Sequence, residues 1–162
     1  MTDKYIILKD TREKNGWDFN AFDKCRAVVN WGLKTGDYVA RGLEKHLVIE
    51  RKASTGEIAT NLGKKRKAFD AEIERMSQFR WKYIICEFSI DDLMNFPENS
   101  GIPKKQLQYV RMNGKFMWRK LCEYQENFGV QVVFCDDKIS AQERVLMIFD
   151  EVSEILLREQ SS

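Results

Sequence analysis

Proline and glycine are scarce in this chain, two and nine of its 162 residues, which excludes collagen-like and low-complexity architectures. No stretch approaches the roughly eighteen apolar residues of a membrane-spanning helix. The N-terminal region holds only one short apolar run, Tyr5 to Leu8, followed at once by Lys9, Asp10, Arg12 and Glu13. A secretory leader is therefore not expected. The four cysteines, Cys25, Cys86, Cys122 and Cys135, lie far apart and form no CxxC pair. They are expected to be reduced core residues of an intracellular protein rather than disulfides or a zinc site. The single histidine, His46, has no acid–base partner nearby in sequence and reads as a turn residue. Net charge is also small, 27 Lys and Arg against 25 Asp and Glu.

What is present suits one compact domain over residues 1–162: 43% hydrophobic and 12% aromatic residues supply a sizeable core. The small net charge hides an asymmetry. Residues 136–162 carry seven acids and three bases, a net of −4, which leaves +6 elsewhere. Positive charge concentrates in Lys64, Lys65, Arg66 and Lys67 and in the acid-free stretch Lys104 to Lys120. The bland reading is a solvated helix face; the functional one is an anionic partner such as nucleic acid.

Hydrophobic periodicity predicts a strand over Tyr5 to Asp10, a helix around Phe22 to Trp31, and a strand from Lys34 to Arg41 with a turn at Gly36. A second strand, His46 to Lys52, should pair with it as an antiparallel hairpin. A helix is predicted from about Thr55 to Phe79, and a strand buried on both faces over Lys82 to Phe88. Breakers make residues 89–113 irregular. A helix from Lys115 to Asn127, a strand from Val130 to Cys135 and a helix from about Ser140 to Glu159 complete the chain. Strands alternating with helices after the hairpin argue for an α/β layer fold with a mixed sheet.

The hairpin carries the chemistry. With its turn centred on Leu43 and Glu44, paired positions sum to 87 and Asp37 faces Glu50. Two like charges so placed destabilise a sheet unless one is protonated or a cation lies between them. Lys52, two residues beyond Glu50, projects from the same face. Two carboxylates and an ammonium suit phosphodiester hydrolysis assisted by a hard divalent ion, with Lys52 orienting water or stabilising charge on phosphorus. The bland alternative is a polar solvent face of a hairpin, and a register slip of one residue would undo the pairing.

Asp10-Thr11-Arg12-Glu13, Gly36-Asp37-Tyr38 and Glu50-Arg51-Lys52, in this order and spacing, resemble the signature of the XPF family of structure-specific DNA endonucleases, a branch of the PD-(D/E)xK superfamily. The resemblance spans about residues 5–158. It implies a restriction-endonuclease-like α/β fold, a mixed central sheet flanked by helices. It also implies Mg²⁺ or Mn²⁺ on Asp37 and Glu50, with Asp10 binding the metal through water and Lys52 as the catalytic lysine. Glu13 would line the same pocket, and Arg12 and Arg51 would contact phosphate or brace the carboxylates. Strand alternation points Arg51 away from Glu50 and Lys52, so a salt bridge under the following helix stands beside the substrate contact. Asp10 and Glu13 have loop-capping as their bland alternative. The family's Asp four residues after the lysine is Gly56 here, with Glu57 next, and no residues remain for the helix-hairpin-helix modules that usually follow this domain.

The expected activity is metal-dependent cleavage of branched, flap or junction DNA, leaving 5′-phosphate and 3′-hydroxyl ends. The alternatives are a catalytically silent DNA-binding subunit of a heterodimer, and a Holliday-junction resolvase or exonuclease. The family also implies a homodimer through C-terminal elements. Lys64 to Lys67, and Arg111, Lys115, Arg119 and Lys120 with Tyr109, Phe116 and Trp118, are candidate nucleic-acid surfaces. On such a helix Phe116 and Trp118 are more often core-facing, and Trp17, Trp31 and Trp81 read as core or rim aromatics.

Overall fold

The computed structural model describes residues 4–162. Six strands, β1 (Tyr5–Asp10), β2 (Cys25–Trp31), β3 (Tyr38–Ala40), β4 (Leu47–Lys52), β5 (Trp81–Cys86) and β6 (Gln131–Phe134), form one sheet in the order β2-β1-β3-β4-β5-β6. β3 is antiparallel to both β1 and β4, and the other neighbours are parallel. The helices are α1 (Thr55–Leu62), α2 (Arg66–Met76), α3 (Ile90–Met94), α4 (Lys104–Leu107), α5 (Gly114–Phe128) and α6 (Lys138–Gln160). This is the mixed α/β arrangement expected. None of the helices is long and apolar enough to cross a membrane among the described residues.

Local chemistry sets the element ends. Asp137 and Ser140 form a reciprocal capping box at the start of α6. Asn113 accepts the Phe116 N–H to open α5, and Gly129, at φ +71°, closes it in the left-handed conformation that suits glycine. Tyr83 to Cys86 in β5 are buried one after another, because helices cover both faces of this inner parallel strand.

Two cores line the two faces of the sheet. On one, Ile7, Tyr38, Ile49 and Ile85 pack with Val145, Phe149 and Val152 of α6. On the other, Val48, Ile84 and Cys86 pack with Ile58 of α1, Phe69 and Ile73 of α2, and Met117 and Leu121 of α5. Polar ties fasten α6 to the N-terminal third: the Tyr5 hydroxyl donates to Asp150 (2.7 Å), Lys24 pairs with the same carboxylate, and the Phe19 N–H donates to Gln142 (2.8 Å).

Three expectations need correction. Residues 22–31 are not a helix: Cys25–Trp31 is the edge strand β2, parallel to β1. The helix expected over Thr55 to Phe79 is two, broken where the Gly63 N–H caps the carbonyls of Ala59 and Thr60. The segment 89–113 contains the short helices α3 and α4. The hairpin register holds, with Tyr38 opposite Ile49. All four cysteines are free thiols, and His46 lies in the β3–β4 connection.

Candidate active site

Strand register brings the acids together. Lys9 pairs with Tyr38 and Tyr38 with Ile49; just past these rungs Asp10, Asp37 and Glu50 come together, with the Asp37 and Glu50 side chains hydrogen-bonded to each other and all three lining one cavity. The Asp10 N–H donates to the Asp37 carbonyl and the Asp37 N–H to the Ile49 carbonyl, both at 2.8 Å. Gly36 makes this possible. It sits at φ +85°, and a Cβ there would lie 2.6 Å from Val48 Cγ2 and 3.0 Å from the Ile49 carbonyl. The acids open into a cavity of about 280 Å³, also lined by Arg12, Glu13, Lys34, Thr35, Glu72 and Arg75. Two residues along β4, Lys52 is buried on the same side, 4.0 Å from Glu50 Oε2, 3.9 Å from Glu57 Oε2 and 5.1 Å from the Phe69 ring centre.

The carboxyl groups differ in electrostatic state. Burial, then the hydrogen bond and charge of Glu50, push Asp37 up to about 9, although its Oδ2 accepts the Arg51 N–H at 2.8 Å. Burial and the Asp37 charge raise Glu13 to about 7 against the pull of Arg51 at 3.3 Å. Burial also works upward on Asp10, but the Arg12 guanidinium (2.8 Å) and the N–H groups of Leu33 (3.0 Å) and Arg12 outweigh it, leaving that carboxyl below its ordinary value. The cleft thus holds acids that resist ionising beside one that is firmly ionised.

Arg51 points to the opposite face, as alternation requires. It grips Glu87 through Nε (2.8 Å) and Nη2 (3.2 Å) and reaches Glu13, while Trp17 Nε1 donates to the same Glu87 carboxylate at 2.5 Å. It braces the pocket from beneath. Arg12 stands exposed at the rim. Lys64 and Lys65 occupy the exposed turn before α2, Lys67 its exposed first turn, and Arg66 pairs with Asp70; none of these four lines the carboxylate cavity. Glu57 takes a place beside Lys52 one position after Gly56, and also accepts the Ala53 N–H at 2.9 Å.

Glu72 and Arg75 were not singled out from the sequence. They sit one position before the buried Ile73 and Met76 of α2, so the helical stripe marked them as flanking residues, and only the packing of α2 beside β4 brings them to the acids. Glu72 Oε1 and Glu13 Oε2 are buried without a hydrogen-bond partner.

The donor set fits a hard divalent cation. Paired acids that repel and two orphaned carboxylate oxygens in one cleft all gain from a positive ion. Among the described residues no three His, Cys, Asp or Glu side chains converge into a full cage. Mg²⁺ commonly uses only one or two protein carboxylates and completes its shell with water and phosphate oxygens.

No protein-family model matches the chain, and no curated protein matches it. Among solved structures it is similar to XPF from Aeropyrum pernix, with TM-score 0.65 and 15% identity over 90% of this chain. It is also similar to XPF from Aeropyrum pernix in complex with DNA, with TM-score 0.67 and 15% identity over 93% of this chain. The chain spans 60% and 66% of those two chains. The fold is that of an XPF-type nuclease domain.

Proposed function

We propose that this protein is a metal-dependent DNA endonuclease acting on branched, flap or junction DNA. The observation that supports it is the side-chain contact of Asp37 with Glu50, with the Lys52 ammonium 4.0 Å from the latter, inside a fold shared with a protein solved on DNA. Asp37 and Glu50 would hold Mg²⁺ or Mn²⁺, with Asp10 beside them. When bound, such an ion supplies a Lewis acid for a phosphoryl oxygen and lowers the pKa of water. The chain's own groups do the rest. Lys52 donates to the attacking water or to the phosphoryl oxygen on which negative charge grows. Asp10, fixed by Arg12 and Leu33, holds one wall of the cleft. Glu13, held by Arg51 at 3.3 Å, lines the same cleft. Arg12 and Arg75 offer cationic rims to the flanking phosphates. Attack by water on phosphorus breaks the bond to the 3′ oxygen, giving a 5′-phosphate and a 3′-hydroxyl.

The test is cleavage of labelled linear, flap and four-way DNAs with Mg²⁺ or Mn²⁺, with EDTA and Glu50→Gln as controls. Cutting that needs metal and Glu50 supports the reading. Tight binding by the wild type with no cutting on any substrate overturns it in favour of a catalytically silent DNA-binding subunit.

A further inference from the structure

The row of side chains that holds the acids continues past Asp10. β1 and β2 are parallel with Asp10 opposite Trp31, and residues directly opposite in a sheet share a face. Trp31 and Asp10 therefore stand side by side, and Asp37 and Glu50 meet next to Asp10 just before β3 and in β4. At ~4.8 Å per strand, the Trp31 backbone lies two strands, roughly 10 Å, from that of Asp37, a distance covered by about three stacked nucleotides at ~3.4 Å each.

Trp31 is 58% exposed, on the edge strand, where a large apolar ring gains little from folding. Its setting is built rather than incidental. Ile6, Leu8 and Val29 form an apolar floor beside it. A second cavity of about 310 Å³ opens between Trp31 and Phe79, and Lys34 and Thr35 form a wall common to this cavity and the carboxylate pocket. The segment after Trp31 is tied to the acids: Asp10 accepts the Leu33 N–H and Arg12 Nη2 donates to the Leu33 carbonyl, both at 3.0 Å. A flat aromatic face, with Lys34, Arg41 and Glu44 as its charged neighbours and tied through Leu33 to the carboxylate pocket, has the composition of a single-strand stacking platform.

We propose that Trp31 stacks on an unpaired nucleobase of the substrate DNA close to the scissile phosphate, and so selects DNA with splayed nucleotides over intact duplex. This deepens the nuclease reading above and rests on it. A base inside a duplex is already stacked on both sides and offers no free face, so only a nucleotide released at a branch, flap or gap gains from the indole.

Two measurements test it. In the first, kcat/KM on a flap and on a linear duplex is compared for wild type, Trp31→Ala and Trp31→Phe. Loss of one stacked base lowers the flap-to-duplex ratio roughly 5- to 150-fold in Trp31→Ala, and Trp31→Phe recovers most of it. In the second, a flap carrying 2-aminopurine at the unpaired positions next to the junction is bound by Glu50→Gln and by Glu50→Gln/Trp31→Ala. Quenching of the 2-aminopurine by the first protein and not by the second is the expected result. An unchanged flap-to-duplex ratio with quenching intact overturns the proposal. So does a Trp31→Ala protein that falls to a smaller mass by light scattering while its DNA preference stays, because the patch would then be a subunit contact. If the wild type cleaves no DNA, the nuclease reading fails, and the quenching experiment still reports separately on stacking.

Discussion

Replacing Asp37 by Asn should make the metal-free protein more stable while removing its response to metal. In the folded chain the Asp37 carboxyl titrates at about 9 against 3.8 for the free side chain. A raised acid gives stability that is fully present below 3.8 and is lost as pH rises through about 9. At about 1.4 kcal/mol per unit, the roughly four units up to pH 8 set a ceiling of ~6 kcal/mol on the penalty. Water in the cleft screens the pair and holds the realised figure to roughly 2 kcal/mol. Asn removes that penalty, keeps an oxygen for the Arg51 N–H and turns a donor toward Glu50. In EDTA at pH 8, Asp37→Asn should melt roughly 4–8 °C above wild type. The gap should widen from pH 7 to 9, above the range where Glu13, titrating at about 7, adds its own decline. With Mg²⁺ the order reverses, because wild type alone exchanges a proton for the ion. Melting curves by circular dichroism with and without Mg²⁺ decide it. An Asp37→Asn protein that melts below wild type in EDTA at pH 8, or that gains as much from Mg²⁺, refutes the reasoning.

Lys52→Met keeps an unbranched side chain and removes the ammonium that lies 5.1 Å from the Phe69 ring centre; single-turnover cleavage should fall roughly 10²- to 10³-fold while the Mg²⁺-dependent melting shift persists. Arg51→Met strands the buried Glu87 and Glu13 carboxylates and should lower stability by about 3–5 kcal/mol in urea unfolding. Replacing Lys64, Lys65 and Lys67 together by Ala should flatten the plot of log affinity against log salt by up to about 0.9 per lost phosphate contact; an unchanged slope in fluorescence anisotropy would place DNA elsewhere.

The pair Asp37 and Glu50 was legible because strands have a period of two. Once the turn was placed, Tyr38 had to face Ile49, and Asp37 meets Glu50 through its side chain although its N–H bonds the Ile49 carbonyl. The Arg51 alternation was legible for the same reason. β2 was not. Phe22, Cys25, Val28 and Val29 recur at helical spacing, and the sequence says nothing of the parallel partner, β1, that makes the segment a strand. A strand with one neighbour and a largely exposed surface carries a weak signal. The break between α1 and α2 was written in Gly63 but outweighed by the apolar stripe running on to Phe79. Glu72 and Arg75 belong to the site only through the packing of α2, a long-range fact with no local mark.

The helix α6 supplies none of the side chains that line the acid cleft, yet it decides when that cleft can exist. β4, β5, β6 and the helices between them are joined by short-range connections and can assemble early. β1 and β3, which carry Asp10 and follow Asp37, complete the inner apolar cover begun by Trp17 and Phe19 on Tyr38 when Val145, Phe149 and Val152 arrive from the far end of the described chain. Contacts that close so large a loop form late. During synthesis, a ribosome-bound chain still lacking α6 would present Glu50 and Lys52 on a formed strand with no settled Asp10 opposite. The docking of α6, a helix that touches none of the acids, is then a condition for the pocket they form.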